Sequence, residues 1–330
     1  MLERFFQKYT GFLRSLKAVY VINNLLNVRH LLRNQSLYRR LGLKKSIISP
    51  IGSSDFSQHH PDIPWLDRPG AAEALEQHPE FRNMDERMRQ KVRHFLEKGY
   101  LVLENFYPEA DTAALNAEVD RLLGAGKTGF NYTGRKIFNL QEQSRLADEH
   151  FFRHPEICRL LSFLLGKTAL PFQSLNFIQG SEQRAHSDSI HMTTEPPGYL
   201  IATWTALEDC HEDAGPLFYF PGSHRLPYLM TTDYDSGNSR YTIGHDSNKR
   251  YEDATEKLIQ QHQLKPEFLL ARRGDVLIWH ANLLHGGAAI QRAGATRRSM
   301  VCHYFAEGVL CYHEMSQRPA IIKKPATSNP

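Results

Sequence analysis

Cysteine is scarce in this chain of 330 residues: four occur, Cys158, Cys210, Cys302 and Cys311, and no two form a CxxC pair. That excludes a disulfide framework or a zinc ribbon and suits a reducing compartment. Long apolar runs are missing too. The longest in the N-terminal segment, residues 18–22, is far too short to cross a bilayer, and the charged, aromatic start does not read as a secretory leader. Internal repeats are absent, as is low-complexity sequence apart from a polar tail at 323–330. Acid is nearly missing from one segment: residues 1–45 hold ten Lys/Arg against the single acid Glu3, a net +9. The remainder carries 30 basic and 35 acidic residues, a net −5, so a basic headpiece precedes a mildly acidic body.

What is present is the composition of a soluble globular protein, 41% hydrophobic and 23% charged, in a chain long enough to bury a full core. The expected location is cytoplasmic, or peripheral on the inner face of a membrane. The second option rests on residues 1–45, where Phe5, Tyr9, Phe12, Leu16, Val19, Tyr20, Leu26 and Leu31 recur at helical steps between basic residues. Such a basic amphipathic extension lies on an anionic membrane or packs its apolar side on the body or on a second copy. No helix-turn-helix or base-stacking pattern points to nucleic acid.

Residues 46–80, rich in Pro, Gly and Ser, read as an irregular linker. Helices are expected over 85–98, 108–123 and 154–165, with strands at 99–106 and 135–140. From 171 the period changes to two, giving strand candidates at 171–179, 187–192, 199–207, 217–221, 267–270, 274–279 and 297–305. The fold class expected is α+β, a double-stranded β-helix (jelly roll, cupin-like) with flanking helices and a basic helical extension. The catalytic domain would cover 81–315, with a polar, Tyr-bearing insertion at 231–263 acting as a lid or substrate loop, and 316–330 as a tail.

The chemistry sits in Arg184-Ala185-His186-Ser187-Asp188-Ser189-Ile190-His191 and Trp279-His280-Ala281-Asn282-Leu283-Leu284-His285-Gly286-Gly287. On a strand, His186 and Asp188 would share a face. With one imidazole from the second segment they make the 2-His-1-carboxylate set of non-haem Fe(II) oxygenases, which leaves open positions on the ion. His285 and His280 compete for the third place. Strand alternation groups Arg297, Ser299, Val301 and His303 on one face, and an arginine on such a face implies an anion held bidentately.

The region from about 171 to 305 resembles the phytanoyl-CoA dioxygenase family of Fe(II)/2-oxoglutarate-dependent oxygenases. The resemblance rests on His186-Ser187-Asp188, on Ala202-Thr203-Trp204-Thr205-Ala206-Leu207-Glu208-Asp209, and on Ala214-Gly215-Pro216-Leu217 running into Pro221-Gly222-Ser223-His224. Gly274-Asp275-Val276 leading to His280 and His285-Gly286, and Arg297 six residues before His303, complete it. It implies that His186, Asp188 and His285 hold Fe(II) and that Arg297 pairs with the distal carboxylate of 2-oxoglutarate. Lys136, Trp204 and Asn176 would be further co-substrate contacts, and O₂ the second co-substrate. The family often places a serine where this chain has Gly287, which removes a hydroxyl contact. An intact Asp188 favours hydroxylation over halogenation.

The reading is therefore a dioxygenase that hydroxylates an aliphatic C–H of a small-molecule or lipid-linked substrate and releases succinate and CO₂. The alternatives are a non-catalytic jelly-roll ligand-binding protein and a cupin-like metalloenzyme that does not use 2-oxoglutarate. His191 and His303 read as supporting histidines, with His191 also a candidate for substrate contact, His224 as part of a turn, Arg298 as an outward cation. Tyr234, Tyr241 and Tyr251 are candidates for substrate contact or for packing within the insertion.

Overall fold

Helices in this computed structural model, which describes residues 13–56, 61–131 and 134–322, are set by local signals that the sequence carries. In chain order they are α1 (Lys17–Leu26), α2 (Val28–Leu31), α3 (Asn34–Arg40), α4 (Ala71–Gln77), α5 (Pro79–Arg82), α6 (Glu86–Lys98), α7 (Glu109–Gly124), α8 (Pro155–Leu165) and α9 (Ser247–Gln261). The Asp85 carboxylate caps α6 by accepting from the Met88 N–H at 2.8 Å. Gly99 ends that helix at φ 85°, a left-handed conformation, and a Cβ there would run into the His224 ring. The helical steps expected at Phe5, Tyr9 and Phe12, and the tail at 323–330, fall outside the described residues.

The strands are β1 (Tyr100–Leu103), β2 (Lys136–Phe138), β3 (Ala169–Phe177), β4 (Thr193–Glu195), β5 (Leu200–Ala206) and β6 (Leu217–Tyr219). They continue with β7 (Glu267–Leu269), β8 (Val276–His280), β9 (His285–Gly287), β10 (Ser299–Ala306), β11 (Leu310–His313) and β12 (Arg318–Pro319). A six-stranded antiparallel sheet runs β1-β8-β5-β10-β3-β2, and smaller sheets run β7-β6-β9 and β12-β11-β4. This is the jelly-roll arrangement, with helices on one side of the large sheet.

Strand alternation divides the interior in two. Met300, Cys302 and Tyr304 of β10 join Ile201 and Ile278 in a core that also holds Leu115, Val119, Ile157 and Leu161 of the flanking helices. The opposite face presents Val301 with Trp204, Leu277 and Trp279 to Leu217 and Tyr219 of the small sheet. That second face lines the barrel, and the chemistry-bearing side chains project from it.

Several expectations are corrected. Residues 187–192 are not a strand: Asp188–Ile190 is a single 3-10 turn, because the Ser187 hydroxyl caps it by accepting from the Ser189 N–H at 3.1 Å. The stretch 46–80 is not irregular throughout, since Gly70 in the left-handed region starts α4, whose Ala71 and Leu75 are buried. The insertion at 231–263 is more than a loop, as α9 fills its second half. The presumed tail from 316 contributes β12, paired with β11.

The basic headpiece is stitched to the body. The buried Lys17 ammonium donates to Gln317 Oε1 and to the Ser239 carbonyl, the Asn24 amide donates to the Ile48 carbonyl, and Leu37 and Tyr38 pack with Leu310 and Tyr312. No described helix is long and apolar enough to cross a membrane.

Candidate functional site

His186 and His285 come together through a one-residue antiparallel bridge whose two backbone hydrogen bonds are both 2.9 Å. Asp188 follows on the capped turn. That turn is pinned because the Ser187 and Ser189 hydroxyls both donate to the Ala281 carbonyl at 3.0 Å. The Ser187 N–H donates to the Tyr251 hydroxyl at 2.9 Å, so α9 braces the segment from behind. The shared orientation expected of two strand positions is thus reached by a bridge followed by a turn.

The three ligand atoms lie within 4.8 Å of one another, and all three residues are buried. Asp188 Oδ1 is 4.0 Å from His186 Nε2 and 3.8 Å from His285 Nε2, too far for hydrogen bonds and convergent on one point. Each imidazole has its Nδ1 2.9 Å from a carbonyl two residues earlier, Arg184 for His186 and Leu283 for His285. A proton on Nδ1 leaves the Nε2 lone pair turned inward, the tautomer a metal requires. Burial, reinforced by the neighbouring His285, holds His186 well below the ordinary imidazole range, so it is neutral. Burial opposes ionisation of Asp188, but His285, His303 and His186 outweigh it and keep the carboxyl well below the usual carboxylate range. Two imidazoles and one carboxylate, pre-oriented and without mutual hydrogen bonds, fit a divalent cation.

One orienting group was not read from the sequence. The Trp279 indole N–H donates to Asp188 Oδ2 at 2.9 Å, which leaves Oδ1 facing the imidazoles. Alternation along β8 was the available signal, because it turns Trp279 into the barrel and its neighbour His280 away from it. His280 Nε2 lies 3.1 Å from Asp67 Oδ2 on that other side, so it is not a member of the triad.

The triad opens on a cavity of about 1010 Å³ whose walls include Lys136, Gln183, Trp204, Arg297 and His303. Arg297 is 3% exposed, lies over the Trp204 ring at 5.7 Å, and has no partner for Nε or Nη1 among the described residues. Trp204 Nε1 and His303 Nδ1 are likewise buried without partners. Lys136 donates to Gln183 Oε1 at 3.1 Å, and the Gln183 amide lies 3.3 Å from His186 Nε2, so one glutamine links the ammonium to the triad. A cluster of unsatisfied buried donors beside a metal-fit triad has the chemistry of a site for an anion. It fits 2-oxoglutarate.

Asn176 is placed elsewhere. It pairs with Met300 and Ile137 on the helix-side face of the sheet, while its neighbours Leu175 and Phe177 line the cavity. Gly287 has a reason to be glycine: a Cβ there would overlap the Ser181 hydroxyl, which itself lines the cavity. Of the other residues singled out, His191 lines the cavity, Arg298 pairs outward with Asp120 at 2.9 Å, and His224 sits in the turn after Gly222. Tyr251 is buried bracing, Tyr234 packs against it, and Tyr241 is exposed; Ile243, Asn248 and Glu252 are the insertion residues that reach the cavity.

Comparison with known proteins agrees with this geometry. Residues 95–299 match the family described as Phytanoyl-CoA dioxygenase (PhyH). The chain is 21% identical over 233 residues to the peroxisomal phytanoyl-CoA dioxygenase of Rattus norvegicus, covering 63% of this chain and 65% of the relative. The Homo sapiens protein of the same name is 22% identical over 236 residues, again 63% and 65%. The match thus spans just under two thirds of these relatives. Among solved structures, the non-heme alpha ketoglutarate dependent carbocyclase SnoK from nogalamycin biosynthesis superimposes with a TM-score of 0.52 at 18% identity, covering 70% of this chain and 87% of that one. The epimerase SnoN, solved with Fe3+, alpha ketoglutarate and nogalamycin RO, gives 0.51 at 19% identity, covering 74% and 92%. These two share the fold. With more than half of its length matched, a buried His-Asp-His triad and a buried arginine on the barrel wall, the chain belongs to the phytanoyl-CoA dioxygenase family.

Proposed function

We propose that this protein is an Fe(II)/2-oxoglutarate-dependent dioxygenase that hydroxylates an aliphatic C–H of a small molecule. The observation that carries the reading is the convergence of His186, Asp188 and His285 within 4.8 Å on the wall of the cavity that also holds Arg297. Fe(II) bound there, with 2-oxoglutarate and O₂, supplies oxidative decarboxylation to succinate and CO₂ coupled to removal of a substrate hydrogen. The chain's own part is placement. His186, Asp188 and His285 would hold the ion at the wall of the cavity. Arg297 takes the distal carboxylate of 2-oxoglutarate as a fork-to-carboxylate pair, with Lys136 and Gln183 on the same anion. Phe172, Phe177, Val301 and Phe305 form apolar walls that keep water from the reacting centre. Succinate release on mixing protein, Fe(II), 2-oxoglutarate and O₂, measured against a His186→Ala control, tests it; equal yields from both would end the proposal.

Ser181 supplies the hydroxyl that the family often carries at position 287. It accepts from the Gln183 N–H at 3.4 Å and donates to no group among the described residues. Ser181→Ala is expected to weaken 2-oxoglutarate binding about ten-fold, the worth of one hydrogen bond to a charged group (~1.5 kcal/mol). Gly287→Ser alone will also bind poorly, because its side chain overlaps Ser181, whereas the Ser181→Gly/Gly287→Ser pair regains most of the affinity. Calorimetric titration reads this directly, and a Ser181→Ala dissociation constant equal to wild type removes Ser181 from the site.

The headpiece adds a peripheral membrane contact to the proposal, and with it access to a lipid-linked substrate. Ile22, Leu25, Leu26 and Leu32 are each more than half exposed, exposed Arg29 and Arg33 lie beside them, and residues 13–54 contain no acid. Apolar side chains flanked by unopposed cations suit an anionic lipid surface. Sedimentation with phosphatidylserine-containing vesicles should be lost in Leu25→Glu/Leu26→Glu. Equal sedimentation of variant and wild type refutes the contact.

A further inference from the structure

The cavity has a second cationic end that the proposed chemistry does not use. Arg318 of β12 lines it on the side built by the headpiece and the C-terminal strands. Its guanidinium lies over the Tyr20 ring at 5.5 Å, and no carboxylate pairs with it among the described residues. Tyr20 and Arg14 line the cavity beside it, so the neighbouring charged side chain there is a second cation. The carboxylates that do line the cavity are engaged elsewhere: Asp188 with Trp279 and the imidazoles, Glu252 with Arg184 and Asn248. Arg318 is half-buried, and a guanidinium at the wall of a cavity with no carboxylate beside it among the described residues is completed by a ligand anion.

Two imidazoles connect this end to the triad. The His191 ring is 6.2 Å from that of His186, and the His313 ring is 5.4 Å from that of His191. The His313 Nδ1 accepts from the Ser316 N–H at 3.1 Å, which fixes the ring proton on Nε2 as a spare donor. Met192, Ile243 and Ile321 supply apolar wall nearby. Fe(II) with Asp188, 2-oxoglutarate with Arg297 and Lys136, and Glu252 with Arg184 leave the Arg318 charge unbalanced. We propose that the substrate carries an anionic group, a carboxylate or a phosphate on an apolar body, and that Arg318 with His191 and His313 binds it. The assignment rests on reading the Arg297 end as the co-substrate's.

The test is calorimetric titration of hexanoate, hexyl phosphate and neutral hexanol into the full chain under anaerobic conditions, with Fe(II) and saturating 2-oxoglutarate. The two anions separate the carboxylate and phosphate sources. At least one should bind ten-fold or more tightly than hexanol; Arg318→Gln should weaken it at least ten-fold, Arg318→Lys should restore part, and 2-oxoglutarate affinity should stay at the wild-type value in both. Circular dichroism and that unchanged affinity certify that the variants are folded. The subsite is overturned if neither anion binds better than hexanol, if Arg318→Gln binds them as wild type does, or if 2-oxoglutarate displaces them and Arg297→Leu abolishes their binding. Should 2-oxoglutarate fail to bind while anion binding still depends on Arg318, the subsite stands and the co-substrate reading falls.

Discussion

Asp188→Ala protein should bind no Fe(II) at micromolar concentrations and release no succinate above an enzyme-free control. Asp188 is the one carboxylate of the triad, and its Oδ1 stands 3.8 and 4.0 Å from the two imidazole nitrogens. Without it a divalent ion would enter a buried pocket with two neutral ligands and no anion to offset its charge, and desolvation of such an ion outweighs what two imidazoles return. Trp279→Phe grades the effect. It keeps the carboxylate but removes the indole N–H that holds Oδ2, and loss of an outer hydrogen bond to a metal ligand typically weakens metal binding about 10–100-fold. His280→Gln is the contrast, since His280 faces Asp67 on the far side of β8, and succinate yield should match wild type. Anaerobic Fe(II) titration and succinate quantitation read all three. Wild-type metal affinity in Asp188→Ala would place the centre elsewhere.

The parts of this site that were legible beforehand are those with a period or a spacing. Alternation over 297–305 separated Arg297 and Val301 from Met300 and Cys302, and the structure keeps that division. The helices expected at 85–98 and 154–165 stand as α6 and α8, because a capping aspartate, a proline at the first turn and closing glycines are local signals. What failed has no local signature. A bridge of one residue is too short to show period two, so the pattern after His186 suggests a strand where a serine-capped turn follows. Helix α9 hides in the insertion because its buried positions, Ser247, Tyr251, Thr255 and Ile259, are spaced by four but three of the four carry hydroxyls. Asn176 is instructive in the other direction: alternation with Leu175 and Phe177 turns it to the helix-side face, away from the cavity contact that the resemblance implies. Ser181, Gln183, Trp279 and Arg318 gain meaning only from partners on other elements, which no single stretch of sequence displays.

Arg297→Leu should change stability and ligand binding in opposite directions. In the protein without co-substrate this guanidinium is 3% exposed, with two of its nitrogens unpartnered among the described residues, and burial pulls its pKa down to about 10, so it is still charged at neutral pH. The face of Trp204 at 5.7 Å returns only on the order of 1 kcal/mol. Replacing an uncompensated buried cation by a shorter apolar side chain that leaves the space open to the cavity is expected to stabilise the unloaded fold, toward the lower end of about 1–4 kcal/mol. The same change removes the fork that would pair with 2-oxoglutarate. Truncating one partner of a buried, hydrogen-bonded charge pair costs about 2–5 kcal/mol, a loss of roughly thirty-fold to several thousand-fold in affinity. Thermal denaturation with and without 2-oxoglutarate separates the two effects: the variant's Tm should start higher than wild type and fail to rise with ligand, whereas wild type should rise as the logarithm of ligand over Kd. A lower starting Tm together with an unchanged 2-oxoglutarate affinity would make Arg297 a structural residue. Undiminished turnover in the variant would favour a metalloenzyme that has no use for the keto-diacid.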